Sequence, residues 1–302
     1  MADAIPFIRD FPFAHGRSEQ IRPGVRRVIA NNPGPFTYTG SGTYIIGEGE
    51  TAVIDPGPDC QNHLNALLDA LESERVTHIL VTHTHKDHCG LARRLADATG
   101  APVLAAGAHP GQASGEEAPA LDEGGDRAFR PDRVLADGDR IAGDGWALET
   151  VATPGHLSNH LCFALAEQGV LFTGDHVMGW STTVVAPPDG DMSDYMNSLE
   201  SLLARDDSLY LPTHGGPIEK PRAFVRAIRT HRLMRDAQIL DRLKRGDTQI
   251  TEITRAIYAD VDKRLHGAAA LNVLAHLIRL HRLGAVACNG NPGMDSIFTR
   301  MD

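Results

Sequence analysis

Cysteine is scarce in this chain. The four residues present, Cys60, Cys89, Cys162 and Cys288, are widely spaced and form no CxxC pair. That excludes a cysteine-built metal knuckle or a disulfide scaffold, and reduced thiols are expected. No run reaches the roughly 18 apolar residues that a membrane-spanning helix needs. The first 20 residues lack the basic start and apolar stretch of a secretion signal, carrying Asp3, Arg9, Asp10 and Glu19 among short apolar pieces. A cytoplasmic location is therefore expected. Tandem repeats and low-complexity tracts are also missing, which excludes solenoid architectures.

What the sequence does contain is a loop-rich globular composition, 42% hydrophobic with 30 Gly and 18 Pro. Its 302 residues leave room for one large α/β domain of roughly 200–250 residues and a small appendage. Charge is divided unevenly. Residues 218–302 hold 15 Lys plus Arg against 9 Asp plus Glu, a balance of +6, so the overall −10 leaves −16 for residues 1–217. A basic tail attached to an acidic body is either a solvated helical surface or a weak attraction for polyanions.

Hydrophobic patterning predicts strands over 25–30, 42–47 and 51–54, the last two as a hairpin. Leu64, Leu67, Leu68 and Leu71 fall at helical spacing and predict a helix over 62–71. A short strand over 78–82 feeds a histidine-rich loop, and a helix follows over 91–98. Residues 107–132, rich in Gly, Pro, Glu and Asp, read as a long loop or lid. Strands are then predicted over 146–152, 161–165, 170–173 and 209–211, with a helix over 195–203. Beyond Ile218 the chain turns helical, with Phe224, Ile228 and Leu233 along one segment. Helices over 251–259 and 268–283 and a turn-and-strand over 284–288 follow. The predicted division is 1–217 and 218–302, the second part a compact module of the winged-helix kind.

His83-Thr84-His85-Lys86-Asp87-His88 places three imidazoles and a carboxylate within six residues. Neutral imidazole and carboxylate are ligands that Zn²⁺ favours, and a loop leaving a strand can turn several towards one point. His83 and His85, at alternate positions of an extended segment, can share one ion, which leaves Asp87 and His88 for another. Each catalytic ion needs about three protein ligands, so further donors must come from elsewhere. Three qualify, each in a turn beside a predicted strand: His156 after Thr153-Pro154-Gly155, Asp175 after Phe172-Thr173-Gly174, and His214 within Leu211-Pro212-Thr213-His214-Gly215.

This set resembles the metallo-β-lactamase superfamily over about 25–216. The resemblance implies a four-layer αββα sandwich of the α/β (α+β) class with a small, mostly helical C-terminal domain. It also implies two zinc ions per chain, His83, His85 and His156 on the first, Asp87, His88 and His214 on the second, and Asp175 bridging them. Asp55, in Val53-Ile54-Asp55-Pro56-Gly57, matches the family's buried aspartate that orients a ligand histidine. The aspartate at 175 disfavours antibiotic hydrolysis, and the histidine at 85 disfavours the flavodiiron branch.

The implied reaction is hydrolysis by a metal-bridging hydroxide, with Asp87 holding the nucleophile in line and His160 contacting substrate or protonating the leaving group. A narrower similarity, over 153–160, 173–179 and 193–199, is to the lactamase-like group that includes a mitochondrial single-strand endoribonuclease. It implies single-stranded RNA as substrate. A thioesterase or other acyl hydrolase is the alternative on a small-molecule ester, and a mononuclear iron dioxygenase of the persulfide type is the rival of another class.

Overall fold

The computed structural model describes residues 5–110 and 124–301. Seven strands form one sheet in chain order: β1 (Ser18–Arg22), β2 (Val25–Ile29), β3 (Gly42–Ile46), β4 (Glu50–Ile54), β5 (Arg75–Leu80), β6 (Val103–Ala105) and β7 (Arg133–Val134). Five form a second: β8 (Arg140–Gly143), β9 (Trp146–Ala152), β10 (Leu161–Leu165), β11 (Val170–Gly174) and β12 (Leu209–Pro212). β3 and β4 make the expected antiparallel hairpin. β4 then runs parallel to β5, with helix α1 (Gln61–Ala70) crossing between them.

Because successive side chains on a strand point to opposite faces, each strand serves two layers. In β3, Tyr44 and Ile46 enter the core between the sheets, where they join Ile54, Leu80, Phe163 and Phe172. Ile45, on the other face, packs beneath α1 and α3 (Ala92–Thr99); the four-residue α2 (Lys86–Cys89) precedes α3. On the far side of the second sheet, Leu171 and Tyr210 pack against α4 (Met192–Leu203) and the first half of α5 (Pro221–Lys244). Both faces are thus covered, which is why β10 and β11 are buried along their whole length. The layers run α, β, β, α.

The chain ends in a smaller unit of α6 (Ile250–Ile257), α7 (His266–Arg282) and a two-stranded ribbon, β13 (Val286–Cys288) against β14 (Phe298–Arg300). Its core contains Ile239, Leu243, Ile253, Leu274, Leu277 and Phe298. α5 belongs to both cores: Phe224, Val225 and Ile228 pack on the sandwich, Ile239 and Leu243 on the tail.

Two expectations are corrected. Leu233 does not extend the apolar stripe of α5; it is 39% exposed, while Arg232 and Asp236 turn inward. The helix buries polar groups there because Asp236 is satisfied across the interface by His276 and Arg279 of α7. Strand β5 also starts and ends earlier than the pattern suggested, so Thr82 lies beyond it. Of the expected loop over 107–132, residues 107–110 and 124–132 hold no helix or strand element, and 111–123 lie outside the described residues. All four cysteines are free. Among the described residues, no helix is long and apolar enough to cross a membrane.

Candidate metal centre

Five strands release chemistry-bearing residues at their C-terminal ends. β4 leads to Asp55, β5 to the 83–88 cluster, β9 to His156, β11 to Asp175 and β12 to His214. β4 and β5 are parallel; β9, β11 and β12 share one direction, since β10 is antiparallel to both β9 and β11 and β12 is parallel to β11. Each sheet therefore delivers its donors to one edge, and the two edges meet.

There the donors form two groups. His83 Nε2 and His156 Nε2 lie 2.9 and 3.1 Å from His85 Nδ1. In the second, Asp87 Oδ2 is 3.1 Å from His214 Nε2 and 3.5 Å from His88 Nε2. Asp175 stands between them: its Oδ1 is 3.4 Å from both His88 Nε2 and His214 Nε2, and its Oδ2 is 4.0 Å from His156 Nε2. The sets His83/His85/His156, His83/His88/Asp175 and Asp87/His88/His214 each bring one ligand atom per residue within 4.8 Å of the others.

Asp55 determines which ring nitrogens face inward. It sits at φ +50°, a left-handed conformation that aspartate tolerates in tight turns, and its carboxylate accepts four hydrogen bonds. These come from the Thr82 N–H (2.8 Å), the Thr82 hydroxyl (2.8 Å), the Thr213 hydroxyl (2.9 Å) and His88 Nδ1 (2.7 Å). With its proton on Nδ1, His88 presents a lone pair at Nε2. The Thr82 hydroxyl, having given its hydrogen to Asp55, accepts from His83 Nδ1 at 3.1 Å, so His83 also offers Nε2. His156 Nδ1 donates to the Val184 carbonyl (2.6 Å) and His214 Nδ1 to the Gly40 carbonyl (3.3 Å), with the same effect. One buried carboxylate and two carbonyls thereby fix four imidazole tautomers.

The arrangement fits a pair of cations. His83 Nε2 and His156 Nε2 both point lone pairs at His85 Nδ1, which carries at most one hydrogen, so at least one lone-pair contact remains for a cation to relieve. A proton does not serve at His83, since burial and the neighbouring His88, His85 and His156 hold its pKa well below the ordinary value. His88 Nε2 and Asp175 Oδ1 are buried and make no hydrogen bond. Burial opposes charge at Asp87, but His88 and His214 hold its carboxyl down to about 2. Asp175 is likewise held below the carboxylate range, burial being outweighed by His214 and His88. Against the same burial, Asp87, Asp175 and Asp55 raise His88 well above its usual value. The acidic half thus calls for positive charge.

His85, Asp87, His156, Asp175 and His214 floor a pocket whose walls are Phe36, Met178 and Val184. His160, expected at the substrate, is elsewhere: it is 1% exposed, its Nδ1 donates to the Thr153 hydroxyl (2.8 Å) and its Nε2 accepts the Asp175 backbone N–H (3.2 Å). Both ring nitrogens are thus engaged by protein groups, and the ring lies behind Asp175 and not among the residues lining the pocket. Gly174 makes room for this contact, at φ +49°; a Cβ there would lie 2.7 Å from His160 Nε2 and 2.8 Å from Thr82 Oγ1. Thr82, Thr213, Val184 and the pocket walls had no signal in the sequence.

The pattern of the metallo-beta-lactamase superfamily matches residues 38–214, more than half of the chain and every donor described above. The chain belongs to this superfamily. Residues 250–293 match the beta-lactamase associated winged helix domain, which takes in α6, α7 and β13. Among superfamily relatives, a beta-lactamase-like protein 2 homolog of Caenorhabditis elegans is 33% identical over 274 residues, 89% of this chain and 88% of its own. An atrochrysone carboxyl ACP thioesterase of Paecilomyces divaricatus is 31% identical over 258 residues, 82% and 74% of the two chains. The crystal structure of a beta-lactamase domain protein from Burkholderia ambifaria superposes with a TM-score of 0.80 at 21% identity, covering 97% of this chain and 96% of that one, and so shares its fold. This superfamily member is an enzyme of hydrolytic type.

Proposed function

We propose that the chain is a two-zinc acyl hydrolase acting on thioesters of small molecules. His83, His85 and His156 would hold one ion, Asp87, His88 and His214 the other, with Asp175 shared. When bound, such a pair makes water a nucleophile near pH 7 and polarises the scissile carbonyl.

The observation that carries the choice of substrate is the pocket wall. Among the described residues lining the pocket, the three that are not candidate ligands are Phe36, Met178 and Val184, and none of them bears a proton to give or a positive charge. An alkoxide leaving group would need an acid beside it, whereas a thiol, with an ordinary pKa of about 8.5, departs as its anion. A phosphodiester backbone would call for Lys or Arg at the mouth, and an apolar collar suits an acyl chain. The thioesterase relative supports the same reading. Asp87, ionised and facing the pocket, would accept a hydrogen bond from the attacking water and hold it in line.

The test pairs elemental analysis with a panel of short acyl thioesters, single-stranded RNA and lactams. Two zinc ions per chain and thioester cleavage that disappears in Asp175→Ala are expected. Cleavage of RNA with thioesters left intact would overturn the reading, and one iron without zinc would favour a dioxygenase. The division into a catalytic part, 1–217, and a helical part, 218–302, is proposed with it.

A further inference from the structure

Residues 183–185 form a strap outside any helix or strand, wedged between the donor edge and the C-terminal helices. On its inner side the strap holds two candidate ligands. The Thr183 hydroxyl donates to the Asp175 carbonyl (2.6 Å) and is also 3.0 Å from that of His176. The Val184 carbonyl accepts from His156 Nδ1 (2.6 Å), and the Val184 side chain lines the pocket.

On its outer side, the strap is gripped by the tail. Arg232 of α5 donates from Nη2 to the Thr183 carbonyl (2.5 Å), and Asn272 Oδ1 of α7 accepts the Val185 N–H (3.2 Å). Arg232 is 2% exposed, and its guanidinium lies over the Tyr195 ring at 5.0 Å; the Tyr195 hydroxyl in turn donates to the His176 carbonyl at 3.0 Å. No carboxylate among the described residues pairs with Arg232. Asp236, one turn along the same helix, is occupied by His276 and Arg279. A buried guanidinium held by one carbonyl and one ring is an expensive way to fill space, because apolar side chains of similar size do so at lower desolvation cost.

We propose that Arg232 and Asn272 are positioning residues through which the C-terminal helices fix the strap, and with it the aim of His156 and Asp175 at the metals. The inference rests on the ligand assignment proposed above. The tail thereby completes the centre without lining it.

The test compares zinc affinity, by competition with a chromophoric chelator, and the visible spectrum of the cobalt-substituted protein. Five forms of the full chain are used: wild type, Arg232→Met, Arg232→Lys, Asn272→Leu and His156→Ala. Orienting partners of metal ligands are worth about 10–100-fold in affinity. Arg232→Met and Asn272→Leu should each weaken one of the two ions by about that factor and shift the cobalt bands, while Arg232→Lys restores part of the loss. Melting of the metal-free proteins shows whether each is folded; should Arg232→Met fail to fold, Asn272→Leu decides alone. Wild-type affinity and spectrum in a folded Arg232→Met or Asn272→Leu, with both weakened in His156→Ala, would overturn the role of the tail alone. Unchanged binding in His156→Ala would overturn the ligand assignment and this inference with it.

Discussion

Four hydrogen bonds converge on the Asp55 carboxylate, and two of them set the tautomers of His88 and, through Thr82, of His83. Asp55→Ala frees both rings to rotate, so zinc affinity should fall about 10–100-fold, measured by titration against a competing chelator; an affinity equal to wild type would show that the ligands hold themselves. His160 makes the opposite case, a histidine beside the centre whose Nδ1 hydrogen is given to Thr153 and whose Nε2 accepts from the Asp175 backbone. In His160→Gln, kcat should fall while both limbs of the pH–rate profile stay in place; loss of a limb would return it to the role of acid. At this scale the sequence was a good guide where donors are dense or sit in turns at strand ends, as the 83–88 cluster, His156, Asp175 and His214 do. Partners reached across the fold were silent: Thr82 and Thr213 are 27 and 158 positions from the carboxylate they share.

Elements follow the same division. Strands with both faces covered, such as β10 and β11, announce themselves as apolar runs, and β3 with β4 as a hairpin. The exposed edge strand β1, with alternating polar side chains, and the two- and three-residue β7 and β6 are too short or too polar to show a period. Where β11 ends, Gly174→Ala would force a Cβ into His160 and a left-handed backbone on alanine. A loss on the order of 1–3 kcal/mol is expected in denaturant unfolding, and an unchanged midpoint would show that His160 can retreat. Between α1 and β3, His63 meets the Thr43 hydroxyl at 2.9 Å, and burial lowers its pKa to about 4. Above pH 6.5 the ring is neutral whether the chain is folded or not. As pH falls from 6.5 to 4, the unfolded chain takes up a proton that the folded one refuses, so stability drops by up to about 3 kcal/mol and then levels off. His63→Gln should remove that portion of the acid sensitivity, read as the difference between the two stability–pH curves.

Over the whole molecule, the donor edge joins two sheets that elsewhere meet mainly through apolar side chains, with the Tyr44 hydroxyl on the Pro212 carbonyl and the Trp146 indole N–H on the Glu50 carbonyl as polar crossings. Ligands bound to the native state add their binding energy to folding, so chelation should lower the melting temperature and added zinc restore it; an unmoved midpoint would mean that the sandwich closes without ions. The twofold allegiance of α5 also governs how this architecture can be cut and recombined. A chain stopped at Pro217 would strip the cover from Leu199 and Tyr210, leaving a greasy flank prone to aggregation. Tails exchanged between relatives would have to be spliced inside the helix, between Ile228 and Ile239, so that each half keeps the apolar stretch it is wedded to.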